Sequence, residues 1–138
     1  MHVTQTQRAL TVLVYSDDST VRQTVMNALG TRVAPELPAL TFIECATEPV
    51  VIRTMDAGNV DLAILDGEAV PAGGMGICRQ LKDEIFNCPP IVVLTGRPAD
   101  GWLATWSRAE AAVPQPLDPV VLADAVATLL RRRLAITA

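Results

Sequence analysis

The chain has 138 residues, half of them hydrophobic and 19% charged, with a net charge of −4 and a sequence pI near 4.8. One domain of this size buries a full core without metal or disulfide staples, and the composition excludes disorder. The acidic balance excludes a general attraction to nucleic acid or to anionic membranes.

In chain order, Met1 to Arg8 is polar, holds the single histidine, His2, and lacks the apolar core of a signal peptide. Leu10 to Tyr15 is a nearly continuous apolar run ending in Ser16-Asp17-Asp18. This pattern predicts a strand buried on both faces of a parallel sheet. Val21, Val25, Ala28 and Leu29 then share a helical face, with Gly30 as the stop. Thr31 to Ala39 is a Pro-containing loop of unusual length, and a second strand follows over Leu40 to Cys45. Glu48-Pro49 opens a helix whose apolar face is Val51, Ile52 and Met55, with Gly58 as its stop. The third strand runs from Val60 to Leu65 and ends at Asp66. Gly73-Gly74-Met75-Gly76 reads as a turn entering a third helix, carried by Ile77, Cys78, Leu81 and Ile85. Ile91 to Leu94 is the fourth strand, ending in Thr95-Gly96, and Ala99 to Ala109 is an irregular fourth helix. Ala111 to Val113 is the last and shortest strand, before Pro114-Gln115-Pro116. Asp118 caps the final helix, with Pro119 at its first position and a stripe of Leu122, Ala125, Val126, Leu129 and Leu130. Arg131-Arg132-Arg133 falls where cations complement the negative pole of that helix, or where they could meet a phosphate-bearing partner.

No apolar run approaches the length that spans a bilayer. The three cysteines, Cys45, Cys78 and Cys88, form no C-x-x-C pair and read as reduced thiols packed as small hydrophobes. The expected compartment is the cytoplasm. Strand and helix alternate five times, which predicts an α/β domain with a doubly wound parallel sheet rather than a barrel.

In such a sheet, ligands bind beyond the C-terminal ends of the strands. Asp17 and Asp18 end the first strand, Asp66 the third and Thr95 the fourth. Carboxylates from two neighbouring strands with a hydroxyl from a third suit a hard cation such as Mg²⁺. Each acid also has a plainer role, since Asp17, Asp18, Ser19 or Thr20 could cap the first helix and an aspartate at a strand end is often a turn former.

The order and spacing of these segments resemble the receiver domain of bacterial two-component response regulators. TVLVYSDDSTVR is similar to the family's opening strand, acid cluster and helix. VDLAILD resembles the strand carrying its phosphoacceptor aspartate, followed by Pro71, Gly74 and ICRQLK. IVVLTG and QPLDPVVL match the switch-hydroxyl strand and the segment around a lysine-proline pair that is typically cis. The resemblance covers Thr11 to about Arg133 and implies a flavodoxin-like (βα)5 sandwich with strand order 2-1-3-4-5. The whole chain, 1–138, then reads as a single receiver-like domain with its core over about 10–133 and no output domain.

Carried over residue by residue, the resemblance makes Asp66 the phosphoacceptor. Asp17, Asp66 and the backbone carbonyl of Glu68 become ligands of Mg²⁺, with Asp18 as an alternative carboxylate one residue late in register. Thr95 takes the place of the switch hydroxyl. The implied partners are a sensor histidine kinase or phosphotransfer protein and a downstream protein, with no nucleic acid and no membrane insertion. The implied role is signalling, not enzymatic. The partner face would be the fourth helix, fifth strand and fifth helix, which could also make a homodimer. There Trp102 and Trp106, four residues apart, share a helical face. One indole packed on the sheet is the plainer alternative.

Departures from the family pattern are part of the reading. Ser16 stands where the first of two paired acids normally sits, and Gln115 stands at the lysine. Glutamine can reach a phosphate contact but brings no positive charge. Ala112 falls near the switching aromatic, and Pro71 falls one residue late. Glu68 adds a carboxylate beside the acceptor, and Pro114 removes a strand donor. Two readings follow: an atypical receiver phosphorylated on Asp66 with impaired switching, or a phosphorylation-independent pseudo-receiver that acts as a scaffold or adaptor. A nucleotide- or flavin-binding flavodoxin-like protein is the remote alternative. Against it, acids rather than a Gly-rich phosphate loop follow the first strand, and Gly73 to Gly76 lacks the lysine of a P-loop.

Overall fold

A computed structural model describes residues 8–97 and 101–137. The elements run β1 (Leu10–Tyr15), α1 (Ser19–Leu29), β2 (Leu40–Cys45), α2 (Glu48–Asp56), β3 (Leu62–Asp66), α3 (Gly74–Glu84), β4 (Ile91–Thr95), α4 (Gly101–Ser107), β5 (Ala111–Pro114) and α5 (Pro119–Thr137). All strand pairs are parallel, in the order β2-β1-β3-β4-β5. The sheet separates two cores. Val12, Val14, Ile64, Val92 and Leu94 face α1 and α5, while Leu13, Tyr15, Ala63, Leu65 and Val93 face α2, α3 and α4. The central strands are therefore buried on both sides, which is why their sequence is apolar without alternation.

The predicted caps are in place. Asp18 is the N-cap of α1, its side chain accepting from Thr20 N–H at 2.8 Å, and Gly30 ends that helix at φ 63°. Asp118 caps α5 by accepting from Val120 N–H at 2.9 Å. The 31–39 loop is packed: Leu37 is buried against the α1/α5 core, and Thr31 O accepts from Leu40 N–H at 2.8 Å.

Three expectations change. The third strand begins at Leu62 rather than Val60, because Asp61 is turned into a buried polar cluster beneath the sheet. Helix α4 stops at Ser107, since Arg108 takes a left-handed backbone with φ 65°; the expected start, Ala99, lies outside the described residues. Helix α5 continues to Thr137, so Arg131-Arg132-Arg133 does not lie in its last turn and does not complement its negative pole. Arg131 pairs with Glu36 at 2.7 Å, and Arg133 reaches Asp61 and the Val60 carbonyl.

Candidate functional site

β1 passes into Ser16 and Asp17 beside the C-terminal ends of β3 at Asp66 and β4 at Thr95. Asp66 is 3% exposed, and its carboxylate accepts three hydrogen bonds. Ser16 Oγ donates to Oδ2 at 2.8 Å, while Gln115 Nε2 and Glu68 N–H donate to Oδ1 at 3.0 and 2.9 Å. Every donor is neutral.

Each donor is fixed by its own element. Ser16 is fully buried: its N–H donates to Cys45 O, its carbonyl accepts from the Arg22 guanidinium at 2.6 Å, and its Oγ accepts from Asp18 N–H. Arg22 in turn pairs with Glu44 at 3.0 Å. Gln115 leaves β5 with its N–H donating to Thr95 O at 2.8 Å, which restores the ladder just after Pro114. The Gln115–Pro116 peptide is cis, as the resemblance implied, and so is Val70–Pro71. Gly67 is required by packing, since a Cβ there would lie 2.5 Å from Leu94 O. A Cβ on Gly74, the first residue of α3, would lie 2.8 Å from Asp66 O.

Asp17 Oδ1 accepts from Val70 N–H at 3.1 Å and ties the β3–α3 loop to β1. Asp18 points its Oδ1 at the start of α1, not at Asp66. Thr95 is 4% exposed and stands opposite Pro114 in the β4–β5 register. Glu68 places its side chain against Gly96, so that a Cβ there would collide with the carboxylate. Sequence reasoning missed that contact because a spacing pattern carries no side-chain direction. It also missed Tyr15, whose hydroxyl donates to Ala72 O. Burial, with the Asp17, Glu48 and Asp66 carboxylates nearby, pushes the Tyr15 phenol above its ordinary range. Trp102 and Trp106 are 68% and 46% exposed, so neither packs into the sheet. The Arg79 guanidinium of α3 lies 5.3 Å from the Trp106 ring centre. Gly73 caps α3, as expected of a turn entering a helix.

Among the described residues no group of three acidic, histidine or cysteine side chains is clustered as a metal site, and no helix is long and apolar enough to cross a membrane.

No protein-family model matches the chain. Two curated relatives, described as uncharacterized response regulatory proteins from two strains of Mycobacterium tuberculosis, are each 66% identical over 123 residues, 89% of this chain and 92% of theirs. Among solved structures, a Francisella response regulator receiver domain superposes with TM-score 0.75 at 16% identity, over 89% of this chain and 98% of that one. A CheY-like receiver domain protein from Methanospirillum hungatei gives 0.73 at 14% identity, over 93% and 98%. A BeF3-activated DrrB receiver domain gives 0.70 at 20% identity, over 91% and 100%. The structural likeness establishes the flavodoxin-like fold, and the close relatives establish the lineage: this chain belongs to the response regulator receiver family of two-component signalling.

Proposed function

We propose that this receiver accepts a phosphoryl group on Asp66 and relays it by altered protein contacts, with weakened conventional switching. The observation that carries this reading is the Asp66 carboxylate, which is buried at a strand end and held only by neutral donors. A buried carboxylate without a cation costs stability, and a bound cation at that end of the sheet would offset it. Receiver domains interact with histidine kinases or phosphotransfer proteins. In the proposed transfer an Asp66 oxygen attacks the phosphorus of a phosphohistidine, the P–N bond breaks, and the imidazole leaves with the electron pair.

Receiver domains generally bind Mg²⁺ at this site. The Asp17 and Asp66 carboxylates and the Glu68 carbonyl would supply an all-oxygen donor set, the kind that suits an ion keeping several waters and taking one or two carboxylates. When bound, it would neutralise charge on the transferring phosphoryl oxygens. Ser16 and Gln115 then orient Asp66, and Gln115 is the one side chain placed to donate to the new phosphate from the β5 side. Thr95 would supply the switch hydroxyl.

The adaptor reading is favoured by one specific observation: the Glu68 carboxylate lies over Gly96, where it would repel an incoming phosphate. In either reading Trp102 and Trp106, together with exposed Val120 and Val121 at the start of α5, supply the apolar partner face. Such aromatic side chains are enriched at interface hot spots.

The test is intact mass after incubation with Mg²⁺ and acetyl phosphate, for the wild type and Asp66→Ala. A single phosphate increment in the wild type alone is expected. A folded wild type without the increment, both with this donor and with a histidine kinase mixture, would leave the adaptor reading.

A further inference from the structure

At the opposite end of the sheet, the α3–β4 loop and the C-terminal half of α5 enclose a hollow of about 420 Å³, lined by Asn87, Cys88, Pro90, Glu110, Leu129 and the arginines 132 and 133. Its volume lies within the range of small-molecule sites. Pro90 immediately precedes β4, and Glu110 immediately precedes β5. The hollow is therefore separated from Asp66 by the length of the strands and belongs to a different surface.

The charges around it do not cancel. Glu110 is fully committed, because Oε1 accepts from Ile91 N–H and Oε2 from Lys82 Nζ, each at 2.7 Å. Arg133 is directed at Asp61 and the Val60 carbonyl. Arg132 is exposed and makes no ion pair or hydrogen bond among the described residues, although Arg131 beside it does. One uncommitted cation therefore stands over a mostly apolar hollow whose floor is Leu129, Pro90 and the half-buried Cys88. Asn87, in a left-handed backbone with φ 54°, adds an exposed side-chain amide to the rim.

We propose that this hollow binds a small amphiphilic anion, a ring-sized apolar body bearing one carboxylate, sulfonate or phosphate. The apolar body rests on Leu129, Pro90 and Cys88, and the acidic group meets the Arg132 guanidinium with Asn87 as a second donor. A guanidinium suits such a group because its N–H fork matches two acidic oxygens.

The probe is 1-anilinonaphthalene-8-sulfonate, an aromatic body with one sulfonate, titrated into the full chain. Cys88 reports on occupancy, since Cys45 and Cys78 are buried and Cys88 is the partly exposed thiol. Burial pushes the Cys88 thiol up, so alkylation by iodoacetamide is followed at mildly alkaline pH. Saturating probe should slow alkylation of Cys88 at least about fivefold and leave the other two cysteines unchanged. Arg132→Ala, at an exposed position that the fold does not need, should weaken binding roughly tenfold, the size expected for a charge-assisted contact. Arg131→Ala, whose partner Glu36 lies outside the hollow, should stay within about twofold of wild type. Probe fluorescence that rises without protecting Cys88 would place the dye elsewhere, for example on the Trp102/Trp106 face, and would overturn the proposal. Equal affinity of Arg132→Ala and wild type would overturn it too.

Discussion

Asp61 and Asp66 lie five positions apart at the two ends of one strand segment, and both are buried, at 4% and 3% exposure. Their surroundings differ in kind. Asp61 accepts from Thr11 N–H at 2.8 Å and is ion-paired with Arg8 at 3.3 Å and Arg133 at 3.6 Å. It fastens Arg8, two residues ahead of β1, and the C-terminal half of α5 to the bottom of the sheet. Asp66 receives hydrogen bonds of similar length, but from a hydroxyl, an amide and a backbone N–H. Hydrogen bonds satisfy the lone pairs of both acids, whereas only the first has its charge answered by the protein. A buried carboxylate with cations is held as a structural pair, whereas one without them marks a functional-site candidate, as the proposed function takes Asp66 to be.

That contrast predicts opposite responses to removing the two charges. Asp61→Ala leaves Thr11 N–H without its acceptor and Arg133 without its anion, so it should lose about 3 kcal/mol in urea unfolding. Asp66→Asn keeps the shape and leaves Oδ1 to accept from Glu68 N–H and Gln115, while Nδ2 reverses the bond to Ser16 by donating to its Oγ, and it removes an uncompensated charge. Its stability should stay within about 1 kcal/mol of wild type, while phosphate labelling is abolished. If both variants lost the same stability, the distinction between the two ends would fail.

Gln115→Lys would give Asp66 the cation that it lacks, from the position where Gln115 Nε2 already lies 3.0 Å away. The rate of labelling by acetyl phosphate, read by mass, should rise roughly tenfold, less than the full value of a preorganised charged donor because lysine must reposition its longer chain. An unchanged rate would mean that the missing charge is not what limits the site. Ser16→Asp tests the other neutral donor. A second carboxylate 2.8 Å from Asp66, where Ser16 Oγ now stands, would repel it. The variant should lose about 1 kcal/mol in chelator and recover it in millimolar Mg²⁺, seen as a Tm that depends on the metal.

The position of Asp66 was legible in the sequence, because the end of a doubly buried strand is where an α/β sheet places its candidate ligand-binding groups. The order of acid cluster, Asp66, Thr95 and Gln115 then carried the family resemblance, and the structure brings Ser16 and Gln115 onto Asp66 itself. Asp61 was not legible. In the run Val60 to Leu65 it looks like one polar interruption, and its role depends on Arg8 and Arg133, which are 53 and 72 residues away in sequence. The helix-end reading of the arginine triplet failed for the same reason: Arg131 and Arg133 pair with Glu36 and Asp61, distant partners that local periodicity does not show. The side-chain direction of Glu68 likewise follows from loop geometry rather than composition.

The smallest effect tests how the lower cluster divides its work. The Arg8 side chain is 68% exposed while Arg133 is 25% exposed, so solvent already screens most of the Arg8–Asp61 attraction. An exposed arginine also loses side-chain freedom when it pairs, which offsets part of its gain. Arg8→Ala should therefore lose only about 0.5 kcal/mol in urea unfolding, and the difference should shrink in about 0.5 M NaCl. Asp61→Ala should keep most of its larger loss in the same salt, because the backbone hydrogen bond from Thr11 and the mostly covered Arg133 contact are less screened. A loss for Arg8→Ala as large as that for Asp61→Ala would assign the anchoring to the chain entry alone. The comparison between the two ends would then rest on one exposed arginine rather than on a buried cluster.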